Sequence, residues 1–122
     1  WALLGRIYEV ARRNNIRDPD KLLRAINKAL NGLNPVAAFI VGSLARGEFV
    51  LGMSDIDLVV VVNGEPPFRA KVIGSELGDV EVIAFTVSEF CSHYMDNNLM
   101  IEALSIGVPI IGDPGELMKQ CH

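Results

Sequence analysis

Two aspartates separated by one residue, Asp55 and Asp57, open the apolar run "DIDLVVVV". The run is rich in β-branched residues, which predicts a buried strand over 55–62. Residues i and i+2 of a strand leave the same face with Cα atoms about 6.6 Å apart, so both carboxylates would face the same space. Carboxylates this close repel each other, and a divalent cation relieves the repulsion. The spacing suits a metal-binding pair, but taken alone it favours a turn at Ser54 and Asp55, with Asp57 on an exposed strand edge; the motif upstream shifts the balance towards metal binding.

A glycine-serine pair follows the preceding predicted strand, "VAAFIVG" over 36–42. Gly42 allows a phosphate to approach the backbone closely, and the Ser43 hydroxyl and nearby amides can face an anion. Arg46, one turn further on, either adds a positive charge for phosphate or is an exposed helix arginine. Glu48 stands where a Walker-type phosphate loop requires lysine, which excludes that motif. Oxygen ligands beside substrate phosphates favour Mg²⁺, or Mn²⁺, as the cation.

Together, "GSLARG" and "SDIDL" resemble the minimal nucleotidyltransferase branch of the DNA polymerase beta superfamily. The resemblance is strongest over 39–62 and extends more loosely over 35–113. It implies an α/β (α+β) fold of the polymerase beta palm-like type, with a small mixed sheet flanked by helices on one face and a nucleotide over the opposite face. It also implies that the glycine-serine pair grips the triphosphate and that the two aspartates bind the metal.

Members of this family use a third carboxylate on a later strand, and "DVEVI" offers Asp79 and Glu81. We select Glu81 because two valines flank it within the predicted strand 79–86, whereas Asp79 follows a glycine at the strand's start, where turn residues are common. The family's usual residue is aspartate, and the longer glutamate places its oxygens differently relative to the metal. An ordinary exposed strand residue or a salt-bridge partner is the alternative role for Glu81.

The resemblance implies transfer of a nucleoside monophosphate, with AMP from ATP as the expected donor, to an acceptor hydroxyl and release of pyrophosphate. Asp55, Asp57 and Glu81 would be catalytic and would bind the metal, and Gly42, Ser43 and Arg46 would bind the nucleotide. The family's minimal branch commonly pairs with a helical HEPN-type protein, so such a partner, or a second copy of the chain, is expected. The alternative is a non-catalytic nucleotide-binding antitoxin or partner-binding module, which the glutamate at position 81 slightly favours.

Length and composition narrow the possibilities further. A chain of 122 residues is long enough for one core, so we expect a single domain over 1–122, with N-terminal helices over 1–34 and a catalytic core over 35–113. It lacks room for the fingers and thumb that hold a nucleic-acid template. No apolar run approaches the roughly 18 residues that span a bilayer, and we expect a cytoplasmic protein that contacts no membrane. Two cysteines without a framework spacing predict reduced thiols.

Periodicity places the remaining elements. An amphipathic helix is predicted over 2–14, and a second helix begins after Asp18 with proline in its first turn and ends at Gly32. The segment 68–78 is ambiguous between a short helix and an irregular crossover. Helices are predicted after Thr86, with Thr86 or Ser88 as the cap, and "VPIIGD" near the end predicts a short edge strand that tolerates proline.

Overall fold

The computed structural model describes residues 2–122, and its side chains are described from Leu4 onward. Over that range the chain forms helices on both sides of a five-stranded sheet. The helices are α1 (Ala2–Arg13), α2 (Pro19–Leu30), α3 (Gly42–Arg46), α4 (Val87–His93), α5 (Asn98–Ser105) and α6 (Pro114–Lys119), and the strands are β1 (Pro35–Val41), β2 (Ile56–Val62), β3 (Ala70–Ser75), β4 (Gly78–Thr86) and β5 (Val108–Ile111). A membrane-crossing segment would have to be longer and more apolar than any of these described helices.

Helices α2 and α4 begin at capping residues that the sequence predicts. The Asp18 side chain accepts a hydrogen bond from the Asp20 N–H at 3.1 Å, and proline occupies the first turn of α2. Thr86, rather than Ser88, caps α4: its hydroxyl accepts from the Glu89 N–H while the Glu89 carboxylate accepts from the Thr86 N–H. This reciprocal pair of bonds is a capping box, and it fixes the point at which β4 turns into α4.

The sheet has the strand order β3-β4-β2-β1-β5. Strands β2 and β4 pair in parallel, and the other neighbours pair antiparallel, so the predicted mixed sheet is confirmed. The short strand β5 lies at the edge beside β1, which is where Pro109 costs least because an edge strand can leave a donor position unused. The central strands β1, β2 and β4 are therefore held on both sides.

Both faces of the sheet are covered by helices, whereas the family resemblance implied helices on one face. Alternate residues of β1 and β2 bury to opposite sides: Ile40 and Leu58 pack with α1 and α2, and Phe39 and Val59 pack with residues of α4, α5 and α6. The physical reason is the nearly continuous apolar character of these strands, which leaves neither face suited to water. An open site on the second face is therefore confined to the part that α5 leaves uncovered.

The ambiguous segment 68–78 is a strand and a turn rather than a helix or an irregular crossover. Strand β3 pairs antiparallel with β4 through a tight hairpin, in which the Ser75 hydroxyl donates to the Gly78 carbonyl at 2.6 Å. Gly78 has φ +112°, a conformation that favours glycine. The sequence pattern is weak here because β3 is an edge strand whose residues are mostly exposed.

A sixth helix and a disulfide were not predicted. Leu117 of α6 is buried against the second face of the sheet, and this packing brings Cys121 next to α4. Cys91 and Cys121 form a disulfide with their Cα atoms 5.1 Å apart, so the expectation of reduced thiols is wrong for this structure. The 30-residue separation carries no local signal, because the two cysteines meet only after α6 has packed.

One buried amide connects the first helix to the segment that leads into the site. The Asn14 side chain, 7% exposed, donates to the carbonyls of Val10 at 2.8 Å and Leu44 at 2.9 Å. Its oxygen accepts the N–H of Phe49 at 3.0 Å. Asn14 therefore satisfies polar groups of α1, α3 and the loop after α3 at once, which fixes the position of α3.

We expect Asn14→Ala to lower the free energy of unfolding by about 2 to 3 kcal/mol, because it leaves the buried Phe49 N–H and Leu44 carbonyl without these partners. Urea unfolding followed by circular dichroism measures the change. Asn27→Ala, at an exposed position of α2, is the matched control and should change stability by less than about 0.5 kcal/mol. Equal effects of the two substitutions would contradict the role assigned to Asn14.

Candidate active site

Asp57 lies at the end of the second face of the sheet, where the buried apolar surface stops. In the sheet register it is opposite Val41 of β1 on one side and Glu81 of β4 on the other. It shares its face of β2 with Val59, which is buried, while its own side chain is partly buried. The rigid central strand therefore presents one acid beside a core that is otherwise apolar.

The structure brings Asp57 and Glu81 together on neighbouring parallel strands. Burial, followed by a hydrogen bond with Glu81 and repulsion from its charge, raises the pKa of Asp57 to about 6. The charges of Asp55 and Glu102 act in the same direction. Each cause disfavours a second negative charge at this point, so the pair is satisfied by a proton or by a cation.

Asp55 does not share this environment. It lies one residue before β2 and is exposed, so the predicted strand starts one residue later than expected. Asp79, the acid not selected from the sequence, is also exposed and lies opposite Gly74 of β3 rather than opposite Asp57. Of the two acids considered on β4, Glu81 is the one that faces Asp57.

Gly42 begins α3 directly after β1 and lies against the Asp57 carboxylate. Its φ is +69°, and a Cβ atom at this position would collide with Asp57 Oδ2. Both the backbone conformation and the close approach therefore require glycine. Ser43 follows within α3, and its carbonyl accepts the Glu48 N–H at 2.9 Å, which closes the short helical turn.

Glu102, on α5, is a site residue that the sequence did not reveal. Its Oε2 atom accepts a hydrogen bond from the Gly42 N–H at 2.7 Å and lies 3.8 Å from Arg46 Nη1. A second carboxylate, that of Glu48, lies 3.4 Å from Arg46 Nε. The signal available in the sequence was an acid on a predicted helix, next to the apolar positions Met100 and Ala103, which are buried.

A cavity of about 330 Å³ joins these groups. Its polar lining comes from Gly42, Asp57, Glu81 and Glu102, and its apolar lining comes from the central strands and Leu99. Ser43, Arg46 and Asp55 are not part of this lining. Three of the residues singled out by the sequence, Gly42, Asp57 and Glu81, therefore line one cavity, whose volume is in the range of small-molecule sites.

The donor atoms in the cavity fit a small divalent cation. Asp57 and Glu81 offer carboxylate oxygens whose mutual repulsion a cation would relieve, and Mg²⁺ is usually held by one or two carboxylates together with substrate phosphates. Within residues 2–122, no group of three or more histidine, cysteine, aspartate or glutamate side chains is arranged to hold a metal by itself. The described part of the chain thus offers two facing carboxylates at this point of the cavity.

Comparison with protein families gives one match. Residues 20–105 match a family model described as a nucleotidyltransferase domain, which is more than two thirds of the chain. The matched range runs from α2 to α5 and contains every residue of the cavity lining. None of the curated proteins compared with the chain matched it.

The raised pKa of Asp57 predicts a specific dependence of stability on pH. Between about pH 4 and pH 6 the folded state holds a proton on Asp57 that the unfolded state has lost, so the free energy of unfolding falls as pH rises through this range. In the absence of divalent cations, Asp57 should therefore destabilise the fold above pH 6. Asp57→Asn should then be more stable than the wild type at pH 8, by about 1 kcal/mol after allowance for the partly exposed side chain, and the difference should shrink towards pH 4.

Urea unfolding at several pH values in EDTA measures this difference. Asp79→Asn, which removes an exposed acid from the same strand as Glu81, is the control and should show no such trend. Added Mg²⁺ should raise the Tm of the wild type and leave that of Asp57→Asn nearly unchanged. A wild type that is as insensitive to Mg²⁺ as the variant would contradict cation binding at this pair.

Proposed function

The chain belongs to the nucleotidyltransferase domain family, and on that premise we propose that it transfers AMP from ATP to an acceptor hydroxyl and releases pyrophosphate. The single observation that carries the proposal is the facing pair of Asp57 and Glu81, at the wall of a cavity that also contains the Gly42 amide. The two acids would match the cation of a metal-bound triphosphate, and the Gly42 amide would match its phosphate oxygens.

Asp57 and Glu81 would hold Mg²⁺, or Mn²⁺, and Asp55 would join them from the segment that enters β2. When bound, the metal supplies positive charge that neutralises the phosphates and the transition state. The role of the chain is to keep its carboxylates fixed on β2 and β4, so that little reorganisation is needed when substrate binds. Burial, and then the neighbouring Glu81, raise the pKa of Asp57, and a bound cation would offset both effects on its negative charge.

Gly42, Ser43 and Arg46 would bind the β and γ phosphates. The Gly42 N–H points at the Glu102 carboxylate, which lines the cavity, and Ser43 follows Gly42 in the same short helix. Arg46 is about half exposed and lies near the cavity through its contact with Glu102. These groups would orient the triphosphate for in-line attack by the acceptor oxygen.

We propose that the acceptor hydroxyl lies on a helical partner protein of the HEPN type. Three large apolar side chains, Val50, Leu51 and Met53, are 52%, 67% and 85% exposed in the short loop just before Asp55. Exposed apolar residues grouped in this way are typical of surfaces that bind other proteins. Their position beside the first aspartate supports an acceptor that docks next to the site.

A nucleotide-binding antitoxin without catalytic activity is the second candidate. It requires the same cavity but does not require two repelling carboxylates, which destabilise the free protein. The cost of the Asp57 and Glu81 pair therefore favours catalysis over binding alone. The two functions differ in one measurable respect, which is whether labelled nucleotide becomes covalently attached to an acceptor.

Asp57→Asn should lower transfer of label from α-³²P-ATP at least about a hundredfold, because it removes charge that positions the cation. The assay incubates the protein with Mg²⁺, labelled nucleotide and co-purifying partner proteins, and label on protein is counted after electrophoresis. Separate labelling of ATP, GTP, CTP and UTP identifies the donor. Asp79→Asn is the control and should retain transfer.

Wild-type rates of transfer in Asp57→Asn would contradict the proposed mechanism. Tight nucleotide binding by the wild type, with no label on any protein or small molecule, would instead support the binding-module alternative.

A further inference from the structure

The carboxylate of Glu102 contacts Gly42 and Arg46, the same groups that are proposed to bind the triphosphate. Its Oε2 atom accepts the Gly42 N–H at 2.7 Å and lies 3.8 Å from Arg46 Nη1. We propose that Glu102 determines nucleotide affinity: in the free protein its carboxylate stands in for a phosphate oxygen, and it must leave when the triphosphate binds. This inference rests on the proposed function, because it takes Gly42 and Arg46 as the phosphate-binding groups.

Competition follows from the chemistry of the two anions. Carboxylate and phosphate oxygens are both strong acceptors for a backbone N–H and for a guanidinium group, and one well-aligned N–H serves one acceptor. Glu102 also adds a third carboxylate to the lining that already contains Asp57 and Glu81. A phosphate that enters while Glu102 is in place meets an occupied donor and a like charge.

The side chain of Glu102 can move while its backbone stays fixed. The Glu102 carbonyl accepts the N–H groups of Ile106 at 3.0 Å and Gly107 at 2.9 Å. A Cβ atom at Gly107 would collide with the backbone of Ala103, so the end of α5 is closely packed. The Glu102 side chain, by contrast, is 27% exposed, so part of it already reaches solvent. Release of the phosphate-binding groups therefore requires a change of side-chain rotamer and no movement of the helix.

Displacement of Glu102 leaves its partners free for the nucleotide. Arg46 keeps a second acidic neighbour, Glu48, so its guanidinium remains near α3 after Glu102 leaves. The Gly42 N–H keeps its direction because glycine at that position is confined between β1 and Asp57. Only molecules in which Glu102 has left these donors can bind triphosphate, so the apparent affinity falls as the fraction of molecules with Glu102 in place rises.

The test compares Glu102→Gln and Glu102→Ala with the wild type. Glutamine retains an oxygen that can accept from the Gly42 N–H but removes the charge, whereas alanine removes both. Calorimetry with Mg²⁺-ATP should show roughly tenfold tighter binding to Glu102→Gln and at least that for Glu102→Ala. Inorganic triphosphate with Mg²⁺ is the second probe, and it should show the same order because the competition concerns phosphate and not the base.

The matched control is Glu116→Gln, which removes one exposed acid of α6 that pairs with Lys119. Its affinity for both probes should equal that of the wild type. The amide resonance of Gly42 gives a readout independent of activity: it should shift in nucleotide-free Glu102→Ala, and triphosphate should shift it in the wild type. Thermal unfolding of each variant verifies that it is folded.

Equal or weaker binding of both probes by the two Glu102 variants would overturn the inference. If labelled transfer still depends on Asp57 in that case, the proposed function stands without it. Tighter binding by the variants, together with no transfer by the wild type, would support the competition and overturn the proposed function. Failure of every form to bind either probe would overturn both.

Discussion

The facing carboxylates of Asp57 and Glu81 are the constraint on which the rest of the site depends. They are opposite each other because β2 and β4 pair in parallel with no shift of register between them. A slip of one residue would turn Asp57 towards α1 and α2 and bring an apolar side chain into the cavity. Both faces of β2 are apolar beyond Asp57, so such a slip is opposed mainly by the cost of burying that acid in the core that α1 and α2 cover.

The helices on the first face hold in place the end of the site at which Gly42 lies. α3 is only one turn long and could not be stable alone, because helix formation in short segments is unfavourable. Asn14 joins it to α1, and Leu44 of α3 is buried in the core that α1 and α2 cover. The N-terminal helices thus contribute to the site without touching it: they fix the helix that Gly42 begins.

Local features of the sequence predicted some of the residues that meet around the cavity, and distant contacts decided the positions of the others. The aspartates at 55 and 57 and the glycine-serine pair are visible because their neighbours have strong strand and turn patterns. Strand register decides that Asp55 is exposed and that Glu81 pairs with Asp57. The packing of α5 brings Glu102 to Gly42, although the two residues are sixty positions apart in the sequence. Helix α6 and the disulfide escaped prediction because their partners lie far along the chain, and strand β3 escaped it because it is an exposed edge strand with a weak apolar pattern.

At low pH the free site satisfies its charges without a ligand. Below about pH 6 a proton on Asp57 relieves its repulsion from Glu81. The Gly42 amide and Arg46 satisfy the carboxylate of Glu102. A cation-bound triphosphate carries the opposite arrangement, with positive charge for the first pair and negative charge for the second group of donors. Binding would exchange one set of partners for another at both ends of the cavity, and neither exchange requires movement of the strands. A rigid sheet is therefore compatible with a site whose side-chain pairings change on binding.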